Sequence, residues 1–259
     1  MLRSRVIPCL LIHKKGLVKT VGFKDSKYVG DPLNAVKIFN EKSVDEIMVL
    51  DIDASRNGSE PDYGLIERIA SECRMPLCYG GGIDSLEKAR KIIQLGVEKV
   101  AVSSAALSDM TLISKLSKVL GVQSVVVVLD VKKNMLGKYE IFTINGTKKF
   151  HLSLDDVLVK LQEVGVGELV INSINNDGTM KGYDFKLAGK VRAAVSCPLT
   201  ILGGAACYDD ILALVEKFRI IGAAAGSLFV FKGSYKAVLI RYLDKSTREM
   251  VRKFSHPEE

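Results

Sequence analysis

Three stretches of this chain recur in the same order about 120 residues further on, so whatever it folds into must accommodate a doubled unit. MPLCYGGGIDSLEKARKIIQLGVEKVAVSSAAL from Met75 matches CPLTILGGAACYDDILALVEKFRIIGAAAGSLF from Cys197. EIMVLDIDAS from Glu46 matches ELVINSINND from Glu168, and RVIPCLLI from Arg5 matches SVVVVLDV from Ser124. The offset is close to half of the 259 residues. The expected halves are about 1–121 and 122–245, followed by a polar C-terminal tail that includes SHPEE.

Within each half, short apolar runs alternate with amphipathic stretches. The expected strands are Val6–Leu11, Glu46–Leu50, Pro76–Tyr79, Lys99–Val102, Ser124–Leu129, Glu168–Ile171, Pro198–Leu202 and Ile220–Ala223. Most are continuously apolar rather than alternating, the pattern of strands buried on both faces. Helical patterns lie between them. In SLEKARKIIQLG, Ser85 reads as an N-cap and Gly96 as a stop. Eight β–α units favour closure over an open sheet. The expected fold class is therefore α/β, a single (β/α)8 TIM barrel made of two related half-barrels. One segment breaks the rhythm: KKNMLGKYEIFTINGTKKFH from Lys132 carries an Asn-Gly pair between β-prone runs, which predicts a β-hairpin inserted after the fifth strand.

Composition excludes several classes. No apolar run reaches the roughly 18 residues of a membrane span, and the N-terminal apolar stretch is too short for a convincing signal peptide. The five cysteines are odd in number and none has CxxC spacing, which suits reduced thiols in the cytoplasm better than disulfides or a zinc site. The formal charge of +7 comes from bases scattered among acids, without aromatic interleaving. A phosphorylated small-molecule ligand or an acidic partner accounts for it better than nucleic acid. No metal and no cofactor is called for.

A strand that runs into glycines and then a helix suits phosphate, because glycine lets the backbone approach the anion and helix N–H groups point at it. Gly80, Gly81 and Gly82 follow the third strand, and Ser103 and Ser104 the fourth. Gly203 and Gly204 follow the seventh strand, and Gly226 and Ser227 the eighth, the usual barrel phosphate position. Glycines also make tight turns, so one such group is weak evidence. Two pairs related by the internal repeat suggest a long ligand with a phosphate at each end.

These residues resemble the cyclase subunit of imidazole glycerol phosphate synthase, over nearly the whole chain. RVIPCL, GDP at Gly30–Pro32, LDIDAS at Leu50–Ser55, GGGI at Gly80–Ile83, NDGTMKGYD at Asn176–Asp184 and GSLFVF at Gly226–Phe231 stand in that family's order. The resemblance implies a glutaminase subunit docked at the N-terminal barrel face and ammonia passing along the barrel axis. It also implies a gate of charged residues, matched here by Arg5, Glu46, Lys99 and Glu168. A structural ring of salt bridges is the plainer alternative for the same four residues. Lys19 matches a first-loop lysine that helps close over substrate, and Asp51 and Asp177 match further substrate-side positions. Asp177 also reads as a turn or cap residue.

The family's chemistry uses two opposed aspartates, at the ends of the first and fifth strands. Asp130 matches the second, but the first position is Leu11. The internal repeat marks the same gap, since RVIPCLLI laid on SVVVVLDV puts Leu11 opposite Asp130. Leucine transfers no proton, and loss of one general acid or base forfeits about 10²–10⁴ in rate. His13 lies two residues further along what reads as a loop, and Asn172 replaces the threonine common at its position. CLLIHKKGLVKTVGFK, KYVGDPLNAVKIFNEKSVDE, CYGGGI and AAGSLFVFKG look like a divergent branch associated with acetamidino modification of surface-polysaccharide sugars. That likeness implies ammonia supply to a separate sugar amidotransferase. A working cyclase, and a barrel enzyme for another phosphorylated metabolite, remain the alternatives.

Overall fold

The computed structural model describes residues 3–233 and 235–256. Pro257–Glu259, at the end of the expected polar tail, lie outside the described residues. Each of the eight apolar runs forms a parallel strand: β1 (Arg5–His13), β2 (Ile47–Asp51), β3 (Leu77–Gly80), β4 (Lys99–Val102), β5 (Val125–Lys133), β6 (Glu168–Ser173), β7 (Leu199–Leu202) and β8 (Gly222–Ala225). Consecutive strands pair in parallel from β1 to β8, and β8 pairs back to β1, so the sheet closes. Closure leaves no edge among these eight strands.

The helices α1 (Pro32–Glu41), α2 (Tyr63–Glu72), α3 (Leu86–Gln94), α4 (Thr111–Leu120), α5 (Leu154–Val164), α6 (Phe185–Ala194), α7 (Tyr208–Phe218) and α8 (Lys245–Ser255) alternate with the strands. Ser85 caps α3 by accepting the Lys88 N–H, and Gly96 follows the helix at φ +100°. The expected tail is corrected here. Lys245–Ser255 form α8, which packs against α7 and buries Thr247, Val251 and Ser255 at four-residue spacing. One narrow buried stripe sufficed, and an otherwise charged helix reads as tail.

Strand register carries the internal repeat into three dimensions. Leu11 stands opposite Leu50 between β1 and β2, and Asp130 opposite Asn172 between β5 and β6. The expected insertion is present but longer than a hairpin. β5 runs on to Lys133 and pairs with Tyr139–Thr143, which pairs in turn with Lys148–Lys149 across the Asn145-Gly146 turn. A second hairpin, absent from the sequence reading, extends β1: Gly16–Val21 pairs with it and with Lys24–Gly30. No helix among the described residues is long and apolar enough to cross a membrane.

Candidate functional site

Side chains at alternate strand positions point to one face, and inside the barrel they stack in layers. At the N-terminal end, Arg5, Lys99 and Glu168 begin their strands and Glu46 immediately precedes β2. The four close into a ring of alternating charge. Arg5 bonds both Glu46 and Glu168, with Nη2 2.8 Å from Glu168 Oε1. Lys99 Nζ lies 2.9 Å from Glu46 Oε1 and 3.0 Å from Glu168 Oε2. Glu46 is 2% exposed and Glu168 4%, so each carboxylate needs its partners. Burial opposes the charge on Glu168, but Arg5 and Lys99 hold its carboxyl below the usual range. Burial likewise opposes the charge on Arg5 and Lys99, and the two glutamates more than offset it. Thr200 donates to Glu168 Oε1 at 2.6 Å and completes the ring. Sequence reading missed Thr200, because one threonine in an apolar strand looks like an ordinary β residue.

Above the ring the interior is apolar. Ile7, Cys9, Met48, Cys78, Ala101, Val126, Val128, Val170, Leu202 and Ala224 form a buried cluster of their own, topped by Leu11 and Leu50. A cavity of about 720 Å³ opens over this layer at the C-terminal end. It brings together every expected mouth residue: Leu11, Lys19, Asp51, Gly81, Gly82, Ser103, Ser104, Asp130, Asp177, Gly203, Gly204, Gly226 and Ser227. The two glycine–serine groups lie half a barrel apart. Packing alone already demands some of the glycines. A Cβ at Gly81 would sit 2.6 Å from the Asp51 carbonyl oxygen, and one at Gly204 2.0 Å from that of Gly182, with φ +128° and +112°.

The polar side chains of the mouth differ in how freely they can meet a ligand. Asp51 Oδ1 accepts the Asp53 and Ala54 N–H groups at 2.8 and 3.2 Å, just ahead of the short helix Ala54–Asn57. Burial raises its pKa. Asp177 accepts Thr20 Oγ1–H at 2.9 Å and the Phe23 N–H at 3.4 Å, so it also ties down the first-loop hairpin. Burial raises its pKa too. Lys19 folds inward and donates to the Cys9 carbonyl; burial lowers its pKa. Ser104 Oγ accepts the Ile144 N–H at 3.1 Å, whereas Ser103 Oγ is buried with no partner. Asp130 is partly buried on the cavity floor; desolvation pushes its pKa up to about 7, and Asn172 Nδ2 donates to it at 3.1 Å.

Two details went unseen in the sequence. His13 is the last residue of β1 rather than part of a loop, and its side chain lines the cavity two positions beyond Leu11. Its Nδ1 lies 2.7 Å from Asp53 Oδ1, while Asp53 Oδ2 accepts the Lys14 N–H at 2.7 Å. Asn145, in the inserted segment, donates to the Ile52 carbonyl and so bridges the loops after β5 and β2. Among the described residues, no cluster of three or more His, Cys, Asp or Glu side chains is arranged to hold a metal ion.

A closed barrel built on a repeated half, with a charge ring across one end and a deep ligand-sized cavity at the other, defines a (β/α)8 protein whose functional face is the C-terminal mouth. A sequence model of the family described as "Histidine biosynthesis protein" matches residues 5–236, and the chain belongs to that family. A Vibrio vulnificus protein, provisionally named imidazole glycerol phosphate synthase subunit hisF3, is 60% identical over 96% of each chain. A provisionally named HisF subunit of the same synthase from Leptospira borgpetersenii is 53% identical over 96% of this chain and 98% of its own. The imidazole glycerol phosphate synthase subunit HisF of Alkaliphilus metalliredigens is 34% identical over the same shares. Within the family, this chain is a HisF-like subunit.

Proposed function

We propose that this subunit receives ammonia at its N-terminal face from a glutaminase partner and conducts it through the barrel to the mouth. The ring of Arg5, Glu46, Lys99 and Glu168 is the gate in this reading. The observation that carries it is the combination of an intact ring, an apolar interior and Leu11 at the mouth. An interior without charge admits neutral ammonia and resists ions. The acceptor in this reading is a separate sugar amidotransferase that makes acetamidino sugars for lipopolysaccharide. The glycine–serine loops at Gly81, Gly82, Ser103, Ser104, Gly203, Gly204, Gly226 and Ser227 would hold a phosphorylated ligand, with Lys19, Asp51 and Asp177 at its flanks. The setting is cytoplasmic.

A second reading, an active imidazole glycerol phosphate cyclase, is favoured by the relatives' names and by Asp130, whose pKa of about 7 suits proton exchange near neutral pH. One assay separates the two. The purified barrel is incubated with the cyclase's bisphosphate substrate and excess ammonium chloride, beside a Leu11→Asp variant, and imidazole glycerol phosphate is measured. The conduit reading expects no turnover by the native chain and partial rescue, if any, by Leu11→Asp. Turnover by the native chain at the rate of an ordinary cyclase would sink it.

A further inference from the structure

The rim of the mouth carries glycine loops and serines beside the carboxylates of Asp51 and Asp53. The floor, where the apolar interior ends, offers acceptors. Asp130 and Asn172 stand side by side in register on β5 and β6, directly above Val128 and Val170. Asn172 is 6% exposed, and its amide N–H donates to one oxygen of Asp130. Its own Oδ1 is buried and has no partner. An unmatched buried acceptor is destabilising unless a ligand or water supplies the donor.

The surroundings narrow what that donor is. Leu11 and Leu50 supply only hydrocarbon on the opposite side. The charged and titratable groups that act on Asp130 are Asp177 and the Cys9 thiol, and Lys19 acts in turn on both of these. Lys19 turns its nitrogen to the Cys9 carbonyl and makes no hydrogen bond to Asp130. The thiol is pushed up to about 11 by burial and stays neutral near pH 7. Lys19 offsets the charge of Asp177, and the remaining carboxylate, Asp130, repels an anion. The complementary species is small, cationic and donor-only.

We propose that Asp130 and the side-chain oxygen of Asn172 form a binding site for ammonium at the point where the barrel axis opens into the mouth. Ammonia leaving the apolar interior meets its first hydrogen-bond acceptors there. It takes its proton from the Asp130 carboxylic acid when that is protonated, or otherwise from hydronium or a buffer acid of the solvent at the mouth, and is held as an ammonium–carboxylate pair with the amide oxygen as second acceptor. The purpose of the site rests on the conduit reading; its chemistry does not.

The test is an NMR titration of the Asp130 carboxyl carbon in the labelled full-length chain, assigned with Asp130→Asn. Ammonium chloride, potassium chloride and sodium chloride are compared at equal ionic strength. Ammonium at ten times its dissociation constant should lower the Asp130 midpoint by about one pH unit relative to sodium. Asn172→Leu should abolish most of that difference, with Asn172→Thr as a milder variant should the first misfold. Equal responses to ammonium and sodium overturn the proposal, because water then fills the site. Equal responses to ammonium and potassium overturn it too, as a generic cation site. Glutamine-driven ammonia transfer, measured separately with the glutaminase, reports on the conduit. An ammonium shift without transfer leaves the site standing and removes the conduit, whereas transfer without the shift removes only the site.

Discussion

Leu11 and Asp130 occupy equivalent places in the two halves, yet one is hydrocarbon and the other a partly buried acid. Burial raises the Asp130 pKa to about 7, above the unfolded value of 3.8, so the folded chain holds the proton over a wider pH range than the unfolded one. Its contribution favours folding most at low pH and is lost as pH rises through the folded value. Asp130→Asn should therefore gain up to about 4 kcal/mol at about pH 8 and almost nothing near pH 4. Urea unfolding at the two pH values measures this, and equal effects at both would refute the assignment. At this scale the sequence was informative about residues that lie on the repeat or in the family motifs. All four ring members and the mouth glycines were legible for that reason. Thr200, Asn145 and the His13–Asp53 pair were not, because each acts through a partner distant in sequence that no local pattern marks.

The two hairpins of the C-terminal face show what makes an element legible. The Asn145-Gly146 turn within the insertion after β5 was visible because both residues tolerate the left-handed region, which they occupy at φ +54° and +73°. The turn after β1 uses Lys14 and Lys15, at φ +48° and +64°, between the paired residues His13 and Gly16. Two lysines announce no such turn, and both bear the strain of the conformation. The Asp53 carboxylate, by accepting the Lys14 N–H and pairing with His13, helps hold it. Lys15→Gly should relieve that strain and raise stability by roughly 0.5–1 kcal/mol, less the entropy that glycine adds to the unfolded chain. A denaturation midpoint at or below that of the native chain would show that the turn is not strained.

For the whole molecule, the doubled sequence made closure predictable, because two equal half-barrels complete one ring of eight strands. We propose the junction between halves at Gly121–Val122, in the segment between α4 and β5. A half alone would expose the edges that β1 gives to β8 and β4 gives to β5. Fragments 1–121 and 122–259, expressed together, should reassemble with near-native near-UV circular dichroism. Each expressed alone should lack fixed tertiary packing or self-associate. Native-like signals from either half by itself as a monomer would contradict this. What stayed hidden at this scale was the eighth helix, whose few buried residues are too sparse to stand out from a charged end.

The single acid in a doubled mouth has a further consequence. If the two glycine–serine groups hold the two ends of a long phosphorylated ligand, as we propose, their relation by the internal repeat gives the cavity little sense of direction by itself. Asp130 on one side and Leu11 on the other give it one. A ligand with two similar ends would be seated in a single orientation, its polar middle turned toward β5, and the mouth would distinguish head from tail without any difference in the grips that hold them.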